Sequence, residues 1–326
     1  MKILIVRFSS IGDIILTTPV VRCLKEQIPN VSIHYLTKKK FTNLIQDNPN
    51  VDKVWGIEKS IKEVIEELKK ENYNQIIDLH KNVRTKYLKI RLGVKSNSFM
   101  KLNLQKWWLV KTKRNLLPEK HIVERYLDAV AHLGVKNDNK PCDFYIEQRN
   151  QIDLAQHNLL PKQFVCMAMG AQFATKVLPL ESMKKVIAGI DMPVVLLGGK
   201  EDVDKANDIL SSKVHSNIIS FCGELNLQQS ASVIAQSAKI LSHDTGLMHI
   251  ASCFEIPIVS VWGNTVPELG MFPYTPRVKN YTINQVEGLS CRPCSKIGFQ
   301  KCPKGHFDCM MKQDLVKIAN QINTAD

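Results

Sequence analysis

Short apolar, β-branched runs alternate along this chain with stretches whose apolar residues recur at helical spacing. Residues 3–6, 31–36, 53–57 and 75–79 read as strands. Residues 14–28 carry apolar side chains at 14, 15, 20, 21, 24 and 28, which lie on one face of a helix. A short helix is expected over 41–45. Ser60 caps another that runs to residue 70, with Glu63 placed for a capping box. A basic helix follows over 82–92, and one over 121–133 stops at Gly134. The alternation then restarts, with strands at 164–168, 194–197, 218–220, 240–242 and 257–261. Helices are expected between them at 179–190, 202–210, 227–238 and 246–252. Two successive β-α-β series predict an α/β protein with two doubly wound parallel sheets and a seam near residues 148–162. Ligands of such sheets bind beyond the C-terminal strand ends, at the point where the strand order reverses. The loops that follow strands are therefore where chemistry is expected.

Length and composition sharpen this picture. At 326 residues the chain exceeds one ordinary small domain, and 44% hydrophobic with 23% charged residues suits a globular protein. No apolar run approaches the roughly 18–20 residues of a spanning helix. The apolar run after Met1 ends at Arg7, too short for a signal peptide, so a cytoplasmic location is expected.

The net charge of +13 is unevenly spread. Residues 1–150 hold 28 Lys+Arg against 16 Asp+Glu, whereas residues 151–326 hold 16 against 15. Between Asp78 and Glu119 stand 11 basic residues and no acidic one. A solvated basic surface is one reading of such a run. Its single sign, with Phe99, Trp107 and Trp108 interleaved, favours attraction to an anionic partner. A phospholipid headgroup, a phosphorylated glycolipid and nucleic acid all fit that description.

Three strand-end loops carry candidate chemistry. The first is Ser9-Ser10-Ile11-Gly12-Asp13, where Gly12 is expected to permit a tight turn and Asp13 to stand where a helix begins. A carboxylate there also satisfies a helix dipole. No G-x-G-x-x-G is present, which removes the main support for a dinucleotide-binding dehydrogenase. The second loop runs from Met169-Gly170 to Lys176, a cation suited to a diphosphate. The third, Ser242-His243-Asp244-Thr245-Gly246-Leu247-Met248-His249, joins a strand to a short helix. Its first-turn amides make a ready anion site, Gly246 allows close backbone approach, and His249 lies one turn in.

The stretches MKILIVRFSSIGDIILTTPVV, GAQFATKVLP, LLGGKED, SHDTGLMHIASCFEIPIVSVWG and CRPCSKIGFQKCPKGHFDCM resemble glycosyltransferase family 9, the ADP-heptose:lipopolysaccharide heptosyltransferases. The similarity spans nearly the whole chain in the same order. It implies a GT-B fold, two Rossmann-like doubly wound parallel-sheet domains facing a central cleft. An acceptor-binding domain would span 1–155 and a donor-binding domain 156–312, with a C-terminal helix over 313–326 packing back on the first. The resemblance further implies inverting, metal-independent heptose transfer from ADP-heptose to an anionic glycolipid acceptor, the lipopolysaccharide inner core, at the inner membrane face. No cofactor and no nucleic acid partner are expected. By the same resemblance Asp13 matches the general base, and Lys176 the lysine that contacts the donor phosphates. Asp244, Thr245, Gly246 and His249 match the segment that binds the nucleotide diphosphate. Gly199 and Glu201 fall near the donor ribose or heptose. Lys81, Arg84 and Lys86 form the expected acceptor-side basic patch. The chain departs from the family in having Ala171 and Gln172 where hydroxyl residues are frequent, which leaves room for another nucleotide sugar or acceptor. A basic, non-enzymatic binder of nucleic acid or membrane is the reading of a different class. The D-T-G-x-x-H helix start argues against it, since binding by charge alone needs no such feature.

Nine cysteines without an export signal are expected to be reduced. Cys23, Cys142, Cys166, Cys222 and Cys253 read as buried structural thiols. Cys291, Cys294, Cys302 and Cys309, with His306 among them, are spaced C-x2-C-x7-C-x6-C. Packed thiols, a structural metal and redox pairing are all compatible with that spacing. The sole D-x-D, Asp202-Val203-Asp204, reads as helix-end charge and not as a metal site.

Overall fold

The computed structural model describes residues 1–324 and divides into two compact units. Residues 1–101 and 120–145 form the first; residues 102–119 and those from 146 onward form the second.

The first unit holds a five-stranded parallel sheet: β1 (Lys2–Val6), β2 (Ser32–Lys38), β3 (Lys53–Ile57), β4 (Gln75–Asp78) and β5 (Ser96–Ser98). Its order is β3-β2-β1-β4-β5. β1 is central, and Ile3 to Val6 are buried on both faces, as an unbroken apolar run in a parallel sheet requires. Leu4, Val6, Leu36 and Ile76 pack with Ile61, Ile65, Leu68 and Leu88 into one core. Each such fully buried side chain contributes about 1.5–3 kcal/mol.

The single helix expected over 14–28 is two, α1 (Ile11–Ile15) and α2 (Thr18–Gln27). Pro19 sits in the first turn of α2, where its missing N–H costs nothing and its fixed φ starts a helix. Thr17 and Thr18 donate their hydroxyls to the carbonyls of Ile14 and Ile15 (2.6 and 2.8 Å), closing off α1. The Ser60–Glu63 capping box forms, with Ser60 N donating to Glu63 Oε1 at 2.7 Å, and leads through a 3-10 turn into α3 (Ile65–Lys70). The basic helix α4 (Val83–Leu92) follows β4. The chain then leaves for the second unit carrying α5 (Asn103–Thr112), and returns with α6 (Ile122–Leu127). The basic run between Asp78 and Glu119 is therefore shared by the two units rather than confined to one.

The second unit is a six-stranded parallel sheet: β6 (Val165–Ala168), β7 (Val194–Leu197), β8 (Ile218–Ser220), β9 (Lys239–His243), β10 (Ile258–Trp262) and β11 (Tyr281–Gln285). Its order is β11-β10-β9-β6-β7-β8. The helices are α7 (Leu180–Ala188), α8 (Val203–Ser211), α9 (Leu227–Gln236), α10 (Gly246–Cys253), α11 (Asp308–Met311) and α12 (Leu315–Asn323). The C-terminal helix corrects an expectation. Ile318, Ala319 and Ile322 of α12 join the core of the second unit with Val186 and Ile187 of α7, instead of returning to the first. Lys239 Nζ donates to the carbonyls of Gln321 (3.1 Å) and Thr324 (2.9 Å), holding the end of α12 on β9. Positions 325–326 of the helix expected over 313–326 lie outside the described residues.

Candidate functional site

In the first unit the chain winds outward from β1 to β2 and β3, then crosses to β4, so β1 and β4 flank the switch point. The loop after β1 delivers Arg7, Phe8, Ser9, Ser10 and Asp13 there. The guanidinium of Arg7 is held three ways. Nε donates to Ser9 O at 2.8 Å, Nη1 to Leu79 O beyond β4 at 2.5 Å, and Nη2 lies 2.6 Å from Asp13 Oδ1. The other carboxylate oxygen of Asp13 accepts from Ser10 N (3.1 Å) and Ser10 Oγ (2.8 Å). Burial raises the Asp13 pKa, but the Arg7 charge and the Ser10 donors outweigh it and hold the acid below the ordinary carboxylate value. Gly12 lies inside the first turn of α1 with negative φ, so it does not supply the tight turn expected of it.

Two neighbours of this loop escaped the sequence reading. The His80 ring meets Phe8 edge-on at 5.0 Å. Burial pushes its pKa down to about 4, helped by Arg7 and Lys101, so the imidazole is neutral. Tyr126 lies under the Arg7 guanidinium (5.7 Å to its ring centroid), and burial pushes its phenol pKa up. His80 directly follows the 75–79 strand, which is the signal that could have found it. The three expected acceptor-side cations differ in placement. Lys81 Nζ donates to Phe99 O at 3.1 Å, Arg84 lies 6.0 Å over the Phe8 ring beside the Asp13 loop, and Lys86 is exposed on α4.

In the second unit β6 and β9 flank the switch point. After β6, Thr175 pins the turn that presents Lys176, since its Oγ1 donates to Phe299 O (2.9 Å) and accepts from Phe299 N (2.8 Å). Lys176 Nζ lies 2.6 Å from Asp244 Oδ2, just beyond β9. Thr265, beyond β10, donates its hydroxyl to the same oxygen at 2.9 Å. Thr265 is a further residue that sequence reasoning missed. Thr245 is the N-cap of α10, and Gly246, also with negative φ, opens it. The first-turn amides of a helix have no partners within it and carry its positive end. His249 is 2% exposed, enclosed on the inner side of α10. His243 is core: its Nε2 accepts from Leu178 N at 3.1 Å, and burial pushes its pKa down to about 4.

Gly198 and Gly199 follow β7. A side chain at Gly170 or Gly198 would strike Asp202, so these glycines let two strand-end loops close over a carboxylate that is 3% exposed. Asp202 accepts from Gly199 N (3.2 Å) and pairs with Lys205 (3.3 Å), as helix-end charge should. Glu201 is exposed beside Gly199. All nine cysteines are free thiols. Burial, and after it Cys291, pushes Cys294 up to about 11, and burial pushes Cys309 up to about 12 against the opposing charge of Arg292. Among the described residues no three His, Cys, Asp or Glu side chains are grouped to hold a metal ion.

Residues 61–301 match the model of glycosyltransferase family 9 (heptosyltransferase). The lipopolysaccharide heptosyltransferase 1 of Campylobacter coli is 22% identical over 81% of this chain and 84% of its own length. The lipooligosaccharide heptosyltransferase 2 of Campylobacter jejuni is 24% identical over 99% and 98%. Among solved structures, the ADP-heptose lipopolysaccharide heptosyltransferase II of Escherichia coli superimposes with a TM-score of 0.70. It shares 18% identity over 99% of this chain and 100% of that one, a likeness that shows the common two-unit α/β (GT-B) fold.

Proposed function

This chain belongs to glycosyltransferase family 9, and from that premise we propose that it transfers heptose from ADP-heptose to the lipopolysaccharide inner core, with inversion and without a metal. The observation that carries the reading is the Lys176–Asp244–Thr265 constellation beside the start of α10, a cation and a helix N-terminus at one switch point. That combination suits a nucleotide diphosphate.

In a single displacement, the acceptor hydroxyl attacks the anomeric carbon while the bond from that carbon to the diphosphate oxygen breaks. The hydroxyl proton passes to Asp13, and the bonding electrons leave with ADP. Arg7 keeps Asp13 ionised, hence able to take a proton, throughout the physiological range. The diphosphate gains negative charge as it departs. Lys176 meets it by exchanging Asp244 for a phosphate oxygen, while Thr265 still hydrogen-bonds the carboxylate that Lys176 leaves. The amides of Thr245 and Gly246, with His249, stabilise the same departing group. Gly199 and Glu201 serve the hydroxyls of the donor. Lys81, Arg84 and Lys86 attract an acidic or phosphorylated acceptor presented at the cytoplasmic face of the inner membrane.

The test is nucleoside diphosphate release with a panel of nucleotide sugars and a deacylated core oligosaccharide. Acceptor-dependent release from ADP-heptose alone is expected. Turnover of a hexose nucleotide, with none from ADP-heptose, would assign the chain to a different surface-polysaccharide step.

A further inference from the structure

The helix α5 wears its apolar stripe on the outside. Leu104, Trp107, Trp108 and Lys111 stand at i, i+3, i+4 and i+7, one face of a helix. Leu104 is 72% exposed and Trp107 53% exposed, and Trp108 is exposed as well. Leu116, a few residues on, is 61% exposed. The opposite side is anchored: Leu102, Leu109 and Leu117 pack with Val266 and Leu269 into a small separate cluster. Lys113 Nζ adds hydrogen bonds to Val110 O (2.6 Å) and Pro293 O (2.8 Å). The segment is thus firmly mounted on its own unit, and yet it turns two indoles and two leucines to solvent. A globular helix ordinarily faces such a stripe inward, and a contiguous exposed patch marks an interaction surface.

Charge identifies the partner. From residue 101 to 118 the chain carries Lys101, Lys106, Lys111, Lys113 and Arg114 and no acidic residue. A protein partner would have to be both apolar and acidic. An anionic bilayer surface is both, offering phosphates at the headgroup level and hydrocarbon just beneath. Tryptophan suits that boundary, with an apolar ring and one N–H donor, and lysine reaches back to the phosphates. Among the described residues no helix is long and apolar enough to cross a membrane, so contact through α5 would be interfacial. We propose that the Leu104–Trp107–Trp108 face of α5, flanked by Lys111 and Arg114, docks the protein on anionic phospholipid. This rests on the surface of α5 alone and is independent of which sugar the enzyme transfers.

Flotation of the full chain with extruded vesicles, without nucleotide or acceptor, tests it. Binding to phosphatidylethanolamine–phosphatidylglycerol vesicles, absence from phosphatidylcholine vesicles, weakening by salt and a blue shift of tryptophan emission are expected. The triple variant Leu104→Ser/Trp107→Ser/Trp108→Ser should lose vesicle binding about tenfold or more. It should keep the wild-type rate on a water-soluble, deacylated acceptor. If that variant misfolds, Lys111→Glu/Arg114→Glu alters only exposed charges and should weaken binding in the same direction. Equal binding of wild type and charge-reversed protein, or no binding by the wild type, would overturn the proposal. So would concentration-dependent dimerisation through the same face, or quenching of the indoles by free core oligosaccharide without vesicle binding.

Discussion

Each unit places an acid and a base in contact at the switch point of its sheet, but the two pairs are built for different uses. Arg7 in the first unit is committed: besides Asp13 it serves the carbonyls of Ser9 and Leu79, which lie on both sides of the switch point. Its departure would cost the hydrogen bonds to a part-buried and a buried carbonyl, so Asp13 is held in one place and one ionisation state. Among the described residues the Lys176 ammonium in the second unit is tethered to Asp244 alone, through the carboxylate at 2.6 Å and a long contact to its carbonyl at 3.5 Å. Asp244 has Thr265 as a second donor. That pair can open without leaving the carboxylate bare. A locked pair suits a group that must stand ready for a proton. An exchangeable pair suits a cation that must move onto an arriving phosphate.

The largest expected effect breaks the locked side. Asp13→Asn keeps size and polarity but removes the base, and should lower transfer by about 10³-fold, read as ADP release. Lys176→Met breaks the exchangeable side and should lower kcat/KM for the donor by roughly 10²-fold, with KM rising as well as kcat falling. Arg7→Met sharpens the comparison through pH. With Arg7 present, Asp13 stays ionised below the roughly 3.9 of a free aspartate, so the acid limb of activity lies below that value. Without Arg7 only the Ser10 donors oppose the burial of Asp13, and its pKa rises. The base form is then lost at higher pH, and the acid limb of the kcat/KM profile should move upward. The smallest effect is that of Thr265→Val, which removes one donor to Asp244. It should cost about 1 kcal/mol of stability in urea unfolding and raise the donor KM modestly.

The contrast between the units also shows what could be read before the structure. Central strands such as β1 and β6 carry continuous apolar runs because both their faces are covered, and they were legible for that reason. The loops holding Asp13, Lys176 and Asp244 were legible as strand ends. Partners were not. Arg7 looks in sequence like the residue that stops a strand, and its role appears only when β4 lies beside β1. Thr265 stands 21 residues from Asp244, and only the adjacency of β9 and β10 brings them together. β5 is a polar Ser-Asn-Ser edge without periodicity, and α5 carries its apolar residues outward, so neither offered the pattern of a buried element. The split between α1 and α2 was signalled by Pro19, which a count of apolar positions passes over.

The division of labour between the two pairs is tested most directly by titrating ADP-heptose into Asp13→Asn in a calorimeter and assaying the same preparation for transfer. A donor dissociation constant like that of the wild type is expected, with transfer lowered by about 10³-fold. Near-normal transfer, or loss of donor binding by a variant whose fold is intact, would contradict it.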